Sequence, residues 1–300
     1  MNAPIIIFTY NRIENLKKLI LSLKKNPEYK NSKIYVFIDG PKNQKDKIKT
    51  DKIFKYLNKS NTSSTQKIFY RNKNLGSAKN IMLGIDHVSK KESEFIVLEE
   101  DLIVSDEFLY FCNKMLKFYK YEKKIWHING WVFDNFKSNE KFFFSKHMSC
   151  WGWATWSNRW KKFKKIKKKN AYFLISKKFR KEFEFLSLGS SLGLFLNYKK
   201  KINTWAVYWY YTIFLSKGIT ITPYKTLVLN TGFKLNSENT KINYYNKQKI
   251  IKNNLKSKLK LKKPVLNVKV LEKINERYQK KNFLLKNFML LKENLYKIFL

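Results

Sequence analysis

The sequence predicts an α/β fold, with a Rossmann-like, largely parallel sheet flanked by helices. Three observations carry that expectation. The first hundred residues alternate short apolar runs with amphipathic helical stretches, the pattern of a doubly wound sheet. Each apolar run ends in a polar turn. The fourth run ends in three consecutive carboxylates, Glu99, Glu100 and Asp101.

Pro4–Phe8 reads as the first strand, stopped by Thr9-Tyr10-Asn11-Arg12. In the helix that follows, Leu16, Leu19, Ile20 and Leu23 recur at helical spacing between Glu14 and Lys25. Ile34–Ile38 is a second buried strand ending at Asp39-Gly40-Pro41, followed by a helix carrying Ile48, Ile53, Phe54 and Leu57. A Ser/Thr/Asn loop at 60–65 leads to a third strand, Lys67–Tyr70. Ser77 to Val88 places Ala78, Ile81, Met82, Ile85 and Val88 on one helical face, and Phe95–Leu98 is the fourth strand. Ser105 is the expected cap of a further helix, with Asp106 and Glu107 in its first turn, where the helix dipole favours acids. From Trp126 to Phe144 the chain is aromatic and strand-like in pieces, and residues 219–229 read as strand, turn and strand. Helices are expected near 270–281 and 282–300.

Composition narrows the classes. Aromatic residues make up 17% and hydrophobic residues 44% of the chain, values of a folded protein rather than a disordered one. The 63 Lys and Arg against 22 Asp and Glu give a formal charge of +41, which points to an anionic partner. Codon bias in an AT-rich genome produces the same Lys- and Asn-rich composition, so charge alone assigns nothing. No helix-turn-helix, zinc-finger or RNP signature supports the remote nucleic-acid-binding reading, and nucleic acid is not an expected partner. Cys112 and Cys150 are the only cysteines, and the three histidines show no metal-ligand spacing, so neither a disulfide scaffold nor a zinc centre is indicated. No run reaches about 18 apolar residues, the length a membrane span needs, and the expected location is the cytoplasm.

In an open parallel sheet, ligands bind where the carboxyl ends of the strands converge. Those ends carry Thr9 to Arg12, Asp39, the loop from Arg71 to Gly76, and Glu99-Glu100-Asp101. Three adjacent carboxylates at the end of a buried strand repel one another unless a cation joins them. Oxygen-only ligands suit Mg²⁺ or Mn²⁺, which commonly bridge to phosphates. A solvated acidic turn is the alternative for these residues taken alone. Asn74-Leu75-Gly76-Ser77-Ala78 opens a helix whose free N–H groups suit a phosphate.

Six segments occur in order: P-I-I-I-F-T-Y-N-R, V-F-I-D-G-P, N-L-G-S-A-K-N-I, I-V-L-E-E-D-L-I-V-S-D-E-F-L, W-G-W-A-T-W-x-x-R-W and N-T-W-A-V-Y-W. Over residues 3–235 the chain resembles the bacterial glycosyltransferases of the family-2 type, related to eukaryotic N-acetylglucosaminyltransferase I. The resemblance implies a GT-A fold over residues 1–235, with a nucleotide-binding half (1–125) and an acceptor half (126–235). It implies transfer of a hexose or N-acetylhexosamine from a nucleotide-diphosphate sugar, UDP-sugar favoured, to a hydroxyl of a surface-glycan or lipid-linked acceptor, with inversion. By matching position, Arg12 and Asp39 would contact the nucleotide, Glu100 the ribose, and Asp101 the metal. Thr9, Asn11, Asn74, Gly76, Asn80 and Glu99 complete the expected nucleotide-sugar site. Trp151, Trp153 and Trp205 are the expected sugar-stacking residues, with core packing the alternative for at least half of the cluster Trp151, Trp153, Trp156 and Trp160.

The sequence departs from the family pattern twice. The family usually has E-D-D where this chain has Glu99-Glu100-Asp101, which lengthens the middle side chain. The family's last motif usually begins with an acid suited to activating the acceptor, whereas here it begins with Asn203, which cannot act as a base. Either another carboxylate takes that role, with Glu182 and Glu184 the nearest upstream, or the chain is a catalytically impaired relative that binds nucleotide sugar or glycan.

Two basic stretches remain. Arg159 to Lys181 holds twelve Lys and Arg and no acid, a solvated face or a contact for an anionic acceptor. The tail from 236 to 300 is expected to be a basic, helical extension. Within it Leu284, Phe288, Leu291, Leu295 and Ile298 share one helical face, so residues 281–300 either pack on the domain or lie on an anionic membrane surface. The latter would make the protein peripheral on the inner face of the cell membrane.

Overall fold

The computed structural model describes residues 2–59, 65–166, 176–232 and 249–281. The amphipathic segment expected at 282–300 and most of the 60–65 loop lie outside the described residues. Residues 2–118 form β1 (Ile5–Thr9), α1 (Ile13–Lys24), β2 (Ile34–Ile38), α2 (Gln44–Lys59), β3 (Gln66–Tyr70), α3 (Ser77–Ser89), β4 (Glu94–Glu99), β5 (Leu102–Val104) and α4 (Phe108–Phe118). They are followed by β6 (Ile125–Asn129), β7 (Phe142–Ser145), β8 (Trp153–Trp156), α5 (Ser157–Trp160), α6 (Lys177–Phe183), α7 (Ser190–Tyr198), α8 (Ala206–Leu215), β9 (Ile219–Pro223) and β10 (Val228–Asn230). A terminal segment carries α9 (Leu255–Lys258) and α10 (Val268–Lys281).

Eight strands form one sheet in the order β3-β2-β1-β4-β8-β6-β9-β7, and β5 pairs antiparallel with β10. The first four strands of that order are mutually parallel, while β8 runs against both β4 and β6. Parallel pairing needs a helix-length crossover, and the helices that follow β1, β2 and β3 supply it. The sheet is therefore mixed, as in a GT-A fold, with a four-stranded parallel run, β3-β2-β1-β4, and a second parallel pair, β6–β9.

β1 and β2 are buried along their whole length, because parallel strands are covered on both faces. Period-two alternation then divides the core. Ile5, Ile7, Ile34, Val36, Ile96 and Leu98 join the aliphatic-rich layer under α1 and α4. Ile6, Phe8, Tyr35, Phe37, Phe95 and Val97 join an aromatic-rich layer under α3, α5 and α8. Trp153, Trp160, Trp205 and Trp209 lie in that second layer.

On α2, Ile53 and Leu57 are buried with Thr50, while Ile48 and Phe54 are exposed. Residues 50, 53 and 57 share a face at 100° per residue, with 54 at its edge and 48 on the far side. One local expectation changes. Ser105 accepts the Glu107 and Phe108 N–H groups, and α4 begins only at Phe108. Glu107 is buried, and its carboxylate accepts main-chain N–H groups from Asn253, at 2.9 Å, and from Leu255. It fastens a distant segment rather than complementing a helix dipole.

That segment, 249–281, is tied to the domain at several points. The Tyr119 hydroxyl donates to the Lys262 carbonyl at 2.6 Å, and Lys262 and Arg277 pair with Glu140 and Asp134 at 2.6 Å each. Asn275 Oδ1 and the Tyr278 hydroxyl accept the Leu186 and Leu188 N–H groups. The described part of the extension is thus packed on the domain, against residues 107–119 as well as 134–188. Replacing Glu107 with Ala leaves two buried N–H groups without an acceptor and should cost about 2–3 kcal/mol of stability. Urea unfolding should show that loss, with a smaller one for Glu107→Gln, which keeps one acceptor.

Candidate functional site

The carboxyl ends of β1, β2 and β4 open into a cleft of about 650 Å³. Each wall is fixed by identifiable bonds. After β1, Asn11 Nδ2 and the Tyr10 hydroxyl donate to the Asp46 carboxylate at 2.9 and 2.6 Å, pinning the turn to the start of α2. Burial and the Asp46 hydrogen bond hold the Tyr10 phenol well above its usual range. Thr9 is buried at the end of β1, and its Oγ1 has no partner among the described residues.

After β2, Asp39 is buried and directed at backbone. One carboxylate oxygen accepts the N–H groups of Gly40 and Leu75, both at 2.9 Å, and the other accepts from Asn74 Nδ2 at 3.2 Å. Gly40 permits that closeness, since a β-carbon there would lie 2.7 Å from the Arg71 carbonyl oxygen. Asn74 also donates to the Gly40 carbonyl. The loop so held delivers Gly76, at φ +77°, to the start of α3, where a first-turn backbone favours anions. Asn80, one turn in, accepts from Arg71 Nε at 3.2 Å.

After β4 come the three carboxylates. Burial first, then repulsion from Asp101 and Glu100, push the Glu99 carboxyl up to about 8, opposed by Arg12. Burial also raises Asp101, against the pull of the Arg12 guanidinium, which lies 3.4 Å from its Oδ2. Asp101 is further bracketed from far along the chain. The Thr231 N–H and hydroxyl both donate to the Asp101 carbonyl, at 2.7 and 2.8 Å.

The lining also includes Cys150, Trp151 and residues 202–206, which lead into α8. Thr204 N–H is held by Asn197 Oδ1 at 2.9 Å. Trp205 is nearly buried at this wall and stacks on Trp153 at 5.4 Å, which stacks on the His127 ring at 5.0 Å. The Trp209 indole N–H donates to His127 Nδ1, so His127 Nε2–H donates to the Ser149 carbonyl. Burial holds that ring down to about 3, hence neutral.

The cleft thus gathers Thr9, Asn11, Arg12, Asp39, Asn74, Gly76, Asn80, Glu99, Glu100, Asp101, Trp151, Asn203 and Trp205. Trp153 is the exception. It is fully buried on β8, sandwiched between His127 and Trp205, and supports the wall without reaching the cleft. Glu182 and Glu184 do not line the cleft either, and Glu184 accepts from the Ser191 hydroxyl. Sequence reasoning missed Asn230 and Gly232, which line the cleft beside Asp101. Their only signal is an Asn-Thr-Gly turn at a strand end, common to many turns.

Among the described residues, no set of three or more His, Cys, Asp or Glu is arranged to hold an ion. Mg²⁺ and Mn²⁺, however, are often bound by one or two carboxylates together with substrate phosphates. A desolvated Asp101 with one cation nearby suits that kind of ion.

The family model for glycosyl transferase family 2 matches residues 5–180. The chain belongs to that family. Family membership and the mixed, helix-flanked sheet fit the GT-A architecture. Among solved structures, the chain is similar to S. aureus TarS, at 20% identity over 43% of this chain and 21% of that one, with a TM-score of 0.32. It is also similar to TarS 1–349 in complex with UDP, at 18% identity over 43% and 34% of the two chains, with a TM-score of 0.33. A third likeness is to the mannosyltransferase PcManGT from Pyrobaculum calidifontis in complex with GDP-Man and Mn2+, at 8% identity over 52% and 45%, with a TM-score of 0.38. The family-2 chain therefore spans less than half the length of each of these structures. No curated protein matches its sequence. No helix among the described residues is long and apolar enough to cross a membrane.

The raised Glu99 carboxyl predicts a pH dependence of stability. The folded state keeps the Glu99 proton well above the ordinary carboxyl value of 4.5, so its contribution is complete below that value and is lost as pH rises toward 8. Melting temperature should fall between pH 6.5 and 8 in the parent, and less so in Glu99→Gln. Differential scanning fluorimetry across that window checks it.

Proposed function

We propose that this family-2 chain transfers a sugar from a nucleotide diphosphate, UDP favoured, to a hydroxyl of a surface-glycan or lipid-linked acceptor. The observation that carries the reading is the convergence of Arg12, the start of α3 and the Asp101 carboxylate in one cleft, which residues 202–206 also line. The diphosphate lies along the α3 N-terminus and Arg12, which favour its negative charge. Asp101 holds a Mn²⁺ or Mg²⁺ ion, which when bound neutralises charge on the diphosphate leaving group. Asp39 orders the loop on which Asn74 and Gly76 sit. Trp151 and Trp205 present aromatic surface to the sugar or acceptor. With the family's inverting precedent, the acceptor hydroxyl attacks from the side of residues 202–206.

Deprotonation of that hydroxyl is the weak point of the cleft. Among the described residues its carboxylates are Asp39, Glu99, Glu100 and Asp101, all from the ends of β2 and β4, and residues 202–206 offer Asn203. Asn203 therefore favours a second reading, in which the chain binds donor but transfers slowly.

Two measurements test these readings. Asp101→Ala should abolish Mn²⁺-dependent UDP binding in calorimetry without lowering the melting temperature, and unchanged affinity would refute the assignment. Asn203→Asp supplies a carboxylate where the family carries one. If a missing base limits turnover, the gain should be on the order of 10²–10⁴-fold in a nucleotide-sugar transfer or hydrolysis assay. Unchanged turnover would place the base elsewhere, and a large loss would give Asn203 a role of its own.

A further inference from the structure

The turn Asn230-Thr231-Gly232 joins the cleft from 130 positions beyond Asp101, at the end of the small β5–β10 pair. Thr231 is bonded twice to the Asp101 carbonyl, and its hydroxyl also accepts from Asn15 at 3.4 Å. The turn is therefore fixed relative to the carboxylate cluster. Gly232 then serves by its lack of a side chain. A β-carbon there would lie 2.9 Å from Asp101 Cγ, closer still to its Oδ2, and 3.0 Å from Asn230 Oδ1. Every other residue at 232 must push the Asp101 carboxylate out of its place. The obstructed atoms belong to a short side chain that can rotate, so the consequence falls on where Asp101 points rather than on folding.

Asn230 is oriented by the same turn. The Gly232 N–H lies 2.7 Å from its side-chain oxygen. A main-chain N–H can only donate, so the atom facing it is the amide oxygen. The Asn230 NH₂ group has no partner among the described residues and belongs to a side chain lining the cleft. What Asn230 offers the cleft is thus a donor, beside a carboxylate. A donor is repelled by a cation and attracted by an anionic oxygen.

We infer that Asn230 binds a diphosphate oxygen of the nucleotide sugar through its Nδ2, and that Gly232 is a positioning residue that keeps Asp101 aimed into the cleft. The inference rests on the reading of Asp101 as the ion-bearing carboxylate. It gives Asn230 a role opposite to that of a metal ligand, and this difference in sign makes it testable.

The experiment is calorimetric titration of UDP, with and without Mn²⁺, into the full chain and into N230D, N230A, G232A and D101A, each checked by circular dichroism and thermal melting. N230D keeps the oxygen for Gly232 but sets a negative charge against the phosphates. It should weaken Mn²⁺-dependent UDP binding by about 10- to 100-fold, and N230A, which only removes the donor, by about tenfold. G232A should melt like the parent and weaken binding only when Mn²⁺ is present. Tighter binding by N230D would make Asn230 an ion ligand and overturn the proposal. Parent-like affinity in N230D and N230A, with D101A impaired, overturns the role of Asn230 while leaving the metal reading intact. Parent-like affinity in G232A overturns its positioning role. Parent-like affinity in D101A removes the metal reading, and the inference with it.

Discussion

The site is organised around an electrostatic constraint at the end of β4. Three successive carboxylates emerge from a buried strand; desolvation raises both Glu99 and Asp101, and repulsion from Asp101 and Glu100 raises Glu99 further. The fold relieves this in part with a single guanidinium, Arg12, from the adjacent end of β1. β1 and β4 are parallel neighbours, with Phe8 opposite Glu99, so the Arg12 turn and the acidic turn leave the sheet side by side. A carboxylate cluster only partly neutralised by the protein is chemically suited to a cation that arrives with its own anionic ligands. The same parallel register brings Asp39 and the α3 loop to the same edge.

The second constraint is the division of labour between the two faces of the sheet. One face is aliphatic and seals against α1 and α4, and the other is crowded with indole and phenyl rings. The aromatic face does more than fill volume, because it runs without a break from His127 through Trp153 to Trp205 at the cleft wall. A ring backed by two further rings has few alternative rotamers, so the acceptor wall inherits the rigidity of the core. His127 contributes as a neutral ring that accepts from Trp209 and donates to Ser149, which joins α8 to the strands beneath it.

The legible parts of the sequence were those governed by local pattern. β1 through β4 are continuous apolar runs closed by polar turns, and residues at successive strand ends of a parallel sheet must converge. The expected donor-site residues accordingly meet in one cleft. Features set by distant contacts were not legible. Trp153 and Trp151 look equivalent in W-G-W-A, yet the strand begins only at Trp153, and the left-handed Gly152 before it (φ +61°) lets one ring enter the core and leaves the other at the cleft. Glu107 looks like a first-turn acid, but its partners lie almost 150 positions away. Asn230 and Gly232 carry no local signature, because their significance comes from the carboxylate they touch.

The distribution of acids bears on function more than the total charge does. Lys and Arg outnumber Asp and Glu by almost three to one, an excess that biased composition alone can produce. Of the 22 acids, however, four line one cleft, and Glu107, Asp134 and Glu140 fasten the terminal segment. Composition bias dilutes carboxylates and gives no reason to concentrate them where they are desolvated and repel one another. Among the described residues, Arg12 and Lys42 are the basic residues that line the cleft. A carboxylate cluster beside so few cations is chemically suited to a positively charged guest, while the positive charge of the chain as a whole favours the approach of an anionic one.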